Sequence, residues 1–245
     1  MRRSIQHSFI LVGFVTASGA SDIHAQKAAS PPPTLALTAS TVTADAATLA
    51  DPLAIAWQSV PAEKIALNRT PRLYETESPS EAEIVEIELR TARAGSNLMV
   101  HLSWQDPTED IAKITAAPRV PTEGRFLKEP TEATDRFFDA AAVMCPAKIG
   151  TEVPGLQMGD AQDPVTIYYW NAARGPMLMD AKGRETTRRT GQGFPARAMY
   201  RAGTWSVSFE LPDLPKGTPL AFAVWNGSQQ DRDGRKYFTV WHWLE

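Results

Sequence analysis

The chain has 245 residues, of which 43% are hydrophobic and 22% charged, and its formal net charge is −3 at pH 7. This composition excludes a wholly disordered protein, and the slightly acidic balance argues against nucleic acid or an anionic membrane surface as a partner. The 19 prolines and 15 glycines are typical of many short strands joined by turns rather than of long helices.

The first 25 residues have the pattern of a secretory signal peptide. Arg2 and Arg3 precede a short apolar run from Phe9 to Ala20, and a small residue, Ala25, stands before the chain continues at residue 26. Because this run is too short to span a bilayer, we expect residues 1–25 to be removed during export to the periplasm. The Arg-Arg pair leaves open whether the route is general secretion or twin-arginine export. No later segment predicts a membrane helix.

Residues 26–50 are rich in Ala, Ser, Thr and Pro, which predicts a flexible leader. A single domain is then expected over residues 51–245. Its strand signals are runs in which apolar and polar side chains alternate, or runs rich in aromatic and β-branched residues. Strands are predicted at 83–90, 97–104, 139–145, 165–170, 204–211, 219–225 and 236–244.

The predicted fold class is all-β. The architecture that buries such strands is a two-sheet antiparallel β-sandwich with long loops and a few short helices. The long loops are expected at 106–134 and 180–195, and loops of this length often carry a binding surface.

Motifs for nucleophilic, zinc-dependent and nucleotide-dependent catalysis are absent from the sequence. After removal of the signal peptide only His101 and His242 remain, and their position in strand patterns favours structural roles. The one cysteine, Cys145, cannot form an internal disulfide and is predicted to be a buried structural thiol. A Cys-x-x-Cys-His motif for covalent haem attachment is also absent.

A lysine in the C-terminal segment does not fit its surroundings. Lys236 begins a run, 236–244, that is largely apolar on both faces. A lysine on a buried strand either extends its amine to water or loses its proton, because low dielectric lowers the pKa of an amine. From the residues alone, an amine that reaches solvent is the commoner outcome, and a neutral amine that ligates a metal is the alternative.

Met158 lies between Gly155 and Gly159, where the chain is expected to bend and to let a side chain project into a cavity. A thioether in such a place suits iron in haem, although methionines more often fill gaps in a core. Met144, Met177 and Met179 are competing thioethers on nearby segments.

Five blocks of the sequence resemble a known family: 51–57, 135–146, 158–170, 221–227 and the Arg235-Lys236 pair that leads to Trp241. Together they are similar, over essentially all of residues 51–245, to the haem b-binding γ subunit of ethylbenzene dehydrogenase. Relatives of that subunit serve dimethylsulfide dehydrogenase, selenate reductase and chlorate reductase. The blocks around Met158-Gly159 and Trp225-Asn-Gly227 are the specific parts of the match.

The resemblance implies one non-covalent haem b per chain in a β-sandwich, with iron held by Met158 and Lys236. Met144 is a rival ligand, because the family usually has a more polar residue at that position. The haem carboxylates need cationic partners, for which Arg235, Arg232 or an arginine of the 184–189 loop is a candidate.

The resemblance further implies a non-catalytic electron-transfer subunit in a periplasmic heterotrimer. Its partners would be a molybdopterin catalytic subunit, an iron–sulfur subunit and a soluble cytochrome or other electron carrier. Two alternatives stay open: an exported carbohydrate-binding-type module that stacks sugars on aromatic rings, and a scaffold that has lost haem.

Overall fold

Strands make up nearly all of the regular structure in the computed structural model, which describes residues 36–70, 84–111, 113–114, 136–150 and 152–245. The strands are β1 (Ala36–Leu37), β2 (Ser40–Thr41), β3 (Glu63–Ala66), β4 (Asn68–Arg69), β5 (Glu86–Ala94), β6 (Asn97–Gln105), β7 (Lys113–Ile114), β8 (Arg136–Phe137), β9 (Ala140–Pro146), β10 (Val165–Asn171), β11 (Gly175–Ala181), β12 (Arg188–Arg189), β13 (Ala196–Arg201), β14 (Thr204–Pro212), β15 (Pro219–Trp225), β16 (Tyr237–Phe238) and β17 (His242–Leu244). Helix α1 is Ala46–Leu49, and 3₁₀ segments lie at Ile55–Ser59, Arg184–Thr186 and Gly227–Gln229.

Two sheets contain most of these strands. The nine-stranded sheet has the order β1-β17-β15-β9-β10-β11-β12, with β16 joining β15 to β4. The six-stranded sheet has the order β13-β14-β6-β5-β2, and β3 also pairs with β5. Pairing is antiparallel except for β1 with β17 and β2 with β5. The predicted all-β sandwich is confirmed, and its two parallel edge pairs are a departure from the purely antiparallel prediction.

The core lies between the two sheets and follows from the alternation of side chains along each strand. Val100, Leu102 and Phe209 point inward from the six-stranded sheet, and Val143 and Phe222 do so from the nine-stranded sheet. On the far side of the six-stranded sheet, α1 and the Ile55–Ser59 segment cover a smaller apolar cluster. Within the described ranges, no helix is long and apolar enough to cross a membrane.

The prediction of a continuous strand over 236–244 is wrong. The segment forms β16 and β17, which are separated by residues 239–241, and Lys236 lies in a bend just before β16. The Thr239 hydroxyl accepts a hydrogen bond from the Phe222 amide at 2.9 Å, so a side chain replaces a rung of the backbone ladder there. Because the ladder is interrupted, the expected alternation shifts: Tyr237 and Leu244 both face the core between the sheets.

The flexible leader predicted for residues 26–50 is also wrong for the part that the structure describes. β1 pairs with β17, β2 pairs with β5, and Leu37 and Leu49 are both fully buried. The folded part therefore begins no later than residue 36. A composition rich in small and polar residues suggested flexibility, but two well-placed leucines and edge pairing stabilise the segment. Residues 1–25, the predicted signal peptide, lie outside the described residues.

The buried leader gives a direct test of this correction. Leu37→Ala should lower the free energy of unfolding by about 3 kcal/mol, because it removes a fully buried side chain from the core between the sheets. The control is Leu53→Ala, whose side chain is exposed and whose loss should cost less than about 1 kcal/mol. Urea denaturation of both variants measures the difference. Equal stabilities would contradict the docking of β1.

Candidate functional site

The nine-stranded sheet is apolar on its outward face as well as on its inward face. Alternate residues of β9, β10, β11 and β15 form a second buried cluster there, together with Trp241. We call it the outer cluster, and it consists of Ala140, Ala142, Val165, Ile167, Ala181, Ala221, Trp225 and Trp241. Partly buried side chains that pack on it are Met144, Val153, Leu156, Met158, Tyr169, Met179 and Ala223.

Alanines form the floor of the outer cluster. Ala142 on β9 lies opposite Ala223 on β15, and the next rungs pair Ala140 with Trp225 and Ala221 with Met144. Four small side chains on two neighbouring strands thus lie between larger ones, and Ala140, Ala142 and Ala221 are buried beneath the side chains that pack over them. At one side of this floor the rings of Tyr169 and Trp225 meet edge to face, with centroids 5.3 Å apart. Such a floor suits a flat apolar group.

Met158 reaches this cluster from a tight turn rather than from a strand. Its backbone is in the left-handed region, with φ +73°, a conformation that residues other than glycine rarely adopt. The Gly159 amide donates to the Gly155 carbonyl at 2.8 Å, and the Gly183 amide donates to the Met158 carbonyl at 2.8 Å. These bonds hold a conformation that would be unfavourable in a free chain, and strain of this kind points to a functional position.

Glycine is required at the next position for a steric reason. Gly159 has φ +65°, and a Cβ atom there would collide with the carbonyl oxygen of Asp163. The loop closes further along through the Asp160 carboxylate, which accepts from the Gln162 and Asp163 amides at 2.9 and 3.0 Å. These turn hydrogen bonds stabilise the loop that follows Met158.

Lys236 approaches the same cluster from the other side. Its carbonyl accepts from the Thr70 amide at 3.0 Å and from the Thr70 hydroxyl at 2.9 Å, so the backbone at this bend is fixed. The β16 register places Phe238 opposite Ala223, and Lys236, two residues earlier, shares the outward side. Its Nζ lies 5.3 Å from the centre of the Trp225 ring.

The amine of Lys236 is easier to deprotonate than that of an exposed lysine. Its pKa is lowered to about 8, chiefly by burial and then by the positive charge of Arg184, whereas Asp233 acts in the opposite direction. The sequence left two outcomes open for this residue, and the structure favours a partly buried amine over one that extends freely into water. A neutral amine has a lone pair available for a metal.

Two links join the segments that carry Met158 and Lys236. Gly183, which donates to Met158, directly precedes Arg184, whose charge acts on Lys236. In addition, the Trp241 indole donates to the Pro154 carbonyl at 2.9 Å, so the segment after Lys236 is tied to the loop before Met158. The structure therefore brings the two predicted residues to one cluster.

Met158 is one of three thioethers at this cluster, since Met144 and Met179 pack on it as well. Met144 lies within β9 and Met179 within β11, where their backbones have ordinary strand pairing. Of the three, only Met158 has a left-handed backbone in a turn fixed by hydrogen bonds. This difference favours Met158, and the ligand roles themselves stay predictions.

Arg235 has a different partner from the one predicted. Its Nε lies 3.3 Å from the carboxylate of Asp231, whose side chain is fully buried. The same carboxylate receives two hydrogen bonds from Arg69, at 2.5 and 2.6 Å, and Arg69 stacks on Tyr237. Arg232 stacks on Phe137 instead. A cofactor-binding role for Arg235 thus stays a prediction, and this ion pair argues for a structural role.

The Trp225-Asn-Gly227 motif is also largely structural. The Asn226 side chain accepts from the Ser228 amide at 2.9 Å and caps the following 3₁₀ segment. The Gly227 amide donates to the buried carboxylate of Asp139 at 2.9 Å, and a Cβ atom on Gly227 would collide with Asp110. The motif fixes the end of β15 and thereby the position of the Trp225 ring.

The other candidate residues from the sequence have the buried surroundings of structural residues. Cys145 is buried, which raises its pKa to about 12, so it is a structural thiol as predicted. His101 is buried, and burial lowers its pKa to about 4.

Six of the seven tryptophans are buried. An aromatic platform for sugars needs exposed rings, so the carbohydrate-binding alternative loses its main support.

Sequence reasoning missed the alanine floor, and it offered the arginines of the 184–189 loop as candidate partners without distinguishing Arg184. A signal for the floor was present: residues 140–142 are three consecutive alanines, and 221–225 alternates Ala221 and Ala223 with larger apolar residues. Such a composition is typical of an ordinary buried strand, and only the register of β9 with β15 shows that the alanines lie side by side. No sequence signal places Arg184 beside Lys236.

Comparison with known proteins gives consistent matches. A sequence profile described as ethylbenzene dehydrogenase matches residues 54–203. A protein of Haloferax mediterranei named as a respiratory nitrate reductase heme subunit is 32% identical over 203 residues, which cover 78% of this chain and 66% of that protein. This chain therefore spans just under two thirds of that relative.

Two further relatives are similar over comparable lengths. The γ subunit of dimethylsulfide dehydrogenase from Rhodovulum sulfidophilum is 26% identical over 223 residues, which cover 79% of this chain and 73% of the relative. The γ subunit of chlorate reductase from Ideonella dechloratans is 27% identical over 213 residues, which cover 79% of this chain and 78% of the relative.

The left-handed backbone at residue 158 can be tested apart from any ligand. Alanine is normally more favourable than glycine, but at this φ the order should reverse, so Met158→Gly should be more stable than Met158→Ala by about 1 kcal/mol. The control is the same pair at Gln157, an exposed residue without a positive φ, where alanine should equal or exceed glycine. Urea unfolding of the four variants gives the comparison, and a more stable alanine variant at both positions would contradict it.

Proposed function

The chain belongs to the ethylbenzene dehydrogenase family, and from that premise we propose that it is a haem-binding electron-transfer subunit of a molybdenum-containing oxidoreductase complex. The observation that carries the proposal is the meeting of one thioether and one readily deprotonated amine at an apolar cluster on the outward face of the nine-stranded sheet. The relatives' names, a heme subunit and two γ subunits, support it.

The residues fit a non-covalent haem b, one per chain. Met158 supplies a soft, uncharged sulfur, a donor that suits haem iron. Lys236 supplies a nitrogen whose proton is already weakly held, so less free energy is needed to free the lone pair than for an exposed lysine. The alanine floor and the surrounding rings exclude water from a large apolar ligand.

When bound, haem supplies a one-electron couple. The task of this chain is then to hold the ligand rather than to act on a substrate. Met158 and Lys236 would both hold the iron and neither would act on a substrate, so we place catalysis in another subunit. Retention of both side chains also keeps the site dry and fixed.

The proposed partners are a molybdopterin catalytic subunit and an iron–sulfur subunit, with a soluble cytochrome or another carrier as the exchange partner. The family membership supports a multisubunit complex, and these particular partners are part of the proposal. We place the complex in the periplasm because residues 1–25 have the pattern of a secretory signal peptide.

The choice of methionine is tested by absorption spectra of the chain reconstituted with haem. The unchanged chain should give a six-coordinate, low-spin spectrum, and Met158→Ala should convert it largely to a high-spin form because one iron ligand is lost. Met144→Ala and Met179→Ala are matched controls that remove thioethers from the same cluster and should retain the low-spin spectrum. Loss of the low-spin spectrum in Met144→Ala, with its retention in Met158→Ala, would assign the ligand to Met144.

Lys236→Ala should likewise give a high-spin spectrum, since it removes the second ligand. The matched control is Lys182→Ala, an exposed lysine two residues from Arg184, which should leave the spectrum unchanged. Far-ultraviolet circular dichroism of each variant verifies that the sandwich is intact. A low-spin spectrum in Lys236→Ala would show that another residue holds the iron.

A further inference from the structure

Arg184 has a fixed place at the edge of the outer cluster. It begins a 3₁₀ turn in which the Thr186 hydroxyl donates to the Gly183 carbonyl at 2.8 Å and accepts from the Lys182 amide at 2.6 Å. Gly183 in turn donates to Met158. The backbone of Arg184 is thereby held next to the Met158 loop, although its side chain is exposed.

The hydrogen bond from Gly183 to Met158 places Arg184 at the edge of the outer cluster, and the effect of its charge on the Lys236 amine agrees with this position. A residue at that edge lies at the rim of whatever group Met158 holds. In the proposed function, that rim is the edge of the haem.

A second arginine shares this rim. Arg189 on β12 lies directly opposite Met179 on β11, and residues paired in this way point to the same face of a sheet. Met179 packs on the outer cluster, so Arg189 is on the outward face as well. Its charge also acts on the Tyr169 phenol, together with that of Arg174.

Within the described residues, neither Arg184 nor Arg189 has an ion pair, whereas nearby arginines do. Arg188, the neighbour of Arg189, lies 2.9 Å from the Asp180 carboxylate, and Arg235 is paired with Asp231. Cations gathered without partners at the mouth of an apolar site attract an anion.

We propose that Arg184, with Arg189, is the docking site for the carboxylate groups of the bound haem. The inference rests on the proposed function. It selects two residues, whereas the sequence had offered Arg232, Arg235 and any arginine of the 184–189 loop as candidates. The planar guanidinium group can donate two parallel hydrogen bonds to a carboxylate, which fixes the orientation of the ligand as well as its affinity.

The test compares two ligands that differ only at the carboxylates: haem and its dimethyl ester. Dissociation constants are measured by absorption difference titration for the unchanged chain, for Arg184→Gln and for Arg189→Gln. Each substitution should weaken haem about five- to tenfold, since a partly exposed charge-assisted pair is lost, and should change the affinity for the ester less than about twofold. Raised salt should weaken haem but not the ester.

Arg188→Gln is the matched control. It lies on the same two-residue strand, and its side chain is paired with Asp180, so it should weaken neither ligand. An equal loss of both ligands in Arg184→Gln would show a structural role and overturn the inference, as would unchanged haem affinity in that variant. If the unchanged chain binds neither porphyrin, the proposed function fails, and the inference fails with it.

Discussion

The structure depends on one constraint: the central strands of the nine-stranded sheet must bury both of their faces. A strand has only two faces, so alternate residues of β9, β10 and β15 divide between the core and the outer cluster. The inward half stabilises the sandwich. The outward half is free of that task, and it can carry small residues without opening a cavity in the core. The alanine floor is therefore tolerated because Val143 and Phe222, on the other side of the same strands, do the packing.

Arg235 and Lys236 are adjacent in the chain, but their electrostatic surroundings differ. Asp231 is fully buried, and two arginines offset the charge of its carboxylate: Arg69 with two hydrogen bonds and Arg235 with a contact at 3.3 Å. Lys236 follows Arg235 directly, yet among the described residues its charge is favoured by the exposed Asp233 and opposed by Arg184. Burial raises the pKa of Asp231 and the two arginines act against that shift, whereas burial and Arg184 act together to lower the pKa of Lys236. Arg235 is thus part of a structural ion pair, and the amine of Lys236 is available as a candidate ligand.

Much of the fold could be predicted from the sequence, because strands such as β6 and β14 alternate apolar and polar residues over their whole length, and β9, β10 and β15 are rich in apolar or aromatic residues. The break between β16 and β17 could not, because it depends on the Thr239 hydroxyl replacing a backbone partner across the sheet. Met158 and Lys236 were found through family resemblance, because local pattern alone favoured a core-filling methionine and a lysine whose amine reaches solvent. Arg69, which shares the Asp231 carboxylate with Arg235, lies 162 positions before Asp231, and no local pattern reveals that contact or the influence of Arg184 on Lys236.

The anchoring of the two candidate ligands also bears on electron transfer. Thr70 fixes the backbone of Lys236, and Gly183 with Gly155 fixes the turn of Met158. These anchors come from different parts of the chain, and the Trp241 bond to Pro154 joins them across the cluster. A ligand whose backbone is held by hydrogen bonds moves little when the charge on a metal changes, so little structural rearrangement accompanies each electron. The left-handed backbone at Met158 is consistent with this: the fold keeps an unfavourable conformation in order to hold one side chain in place.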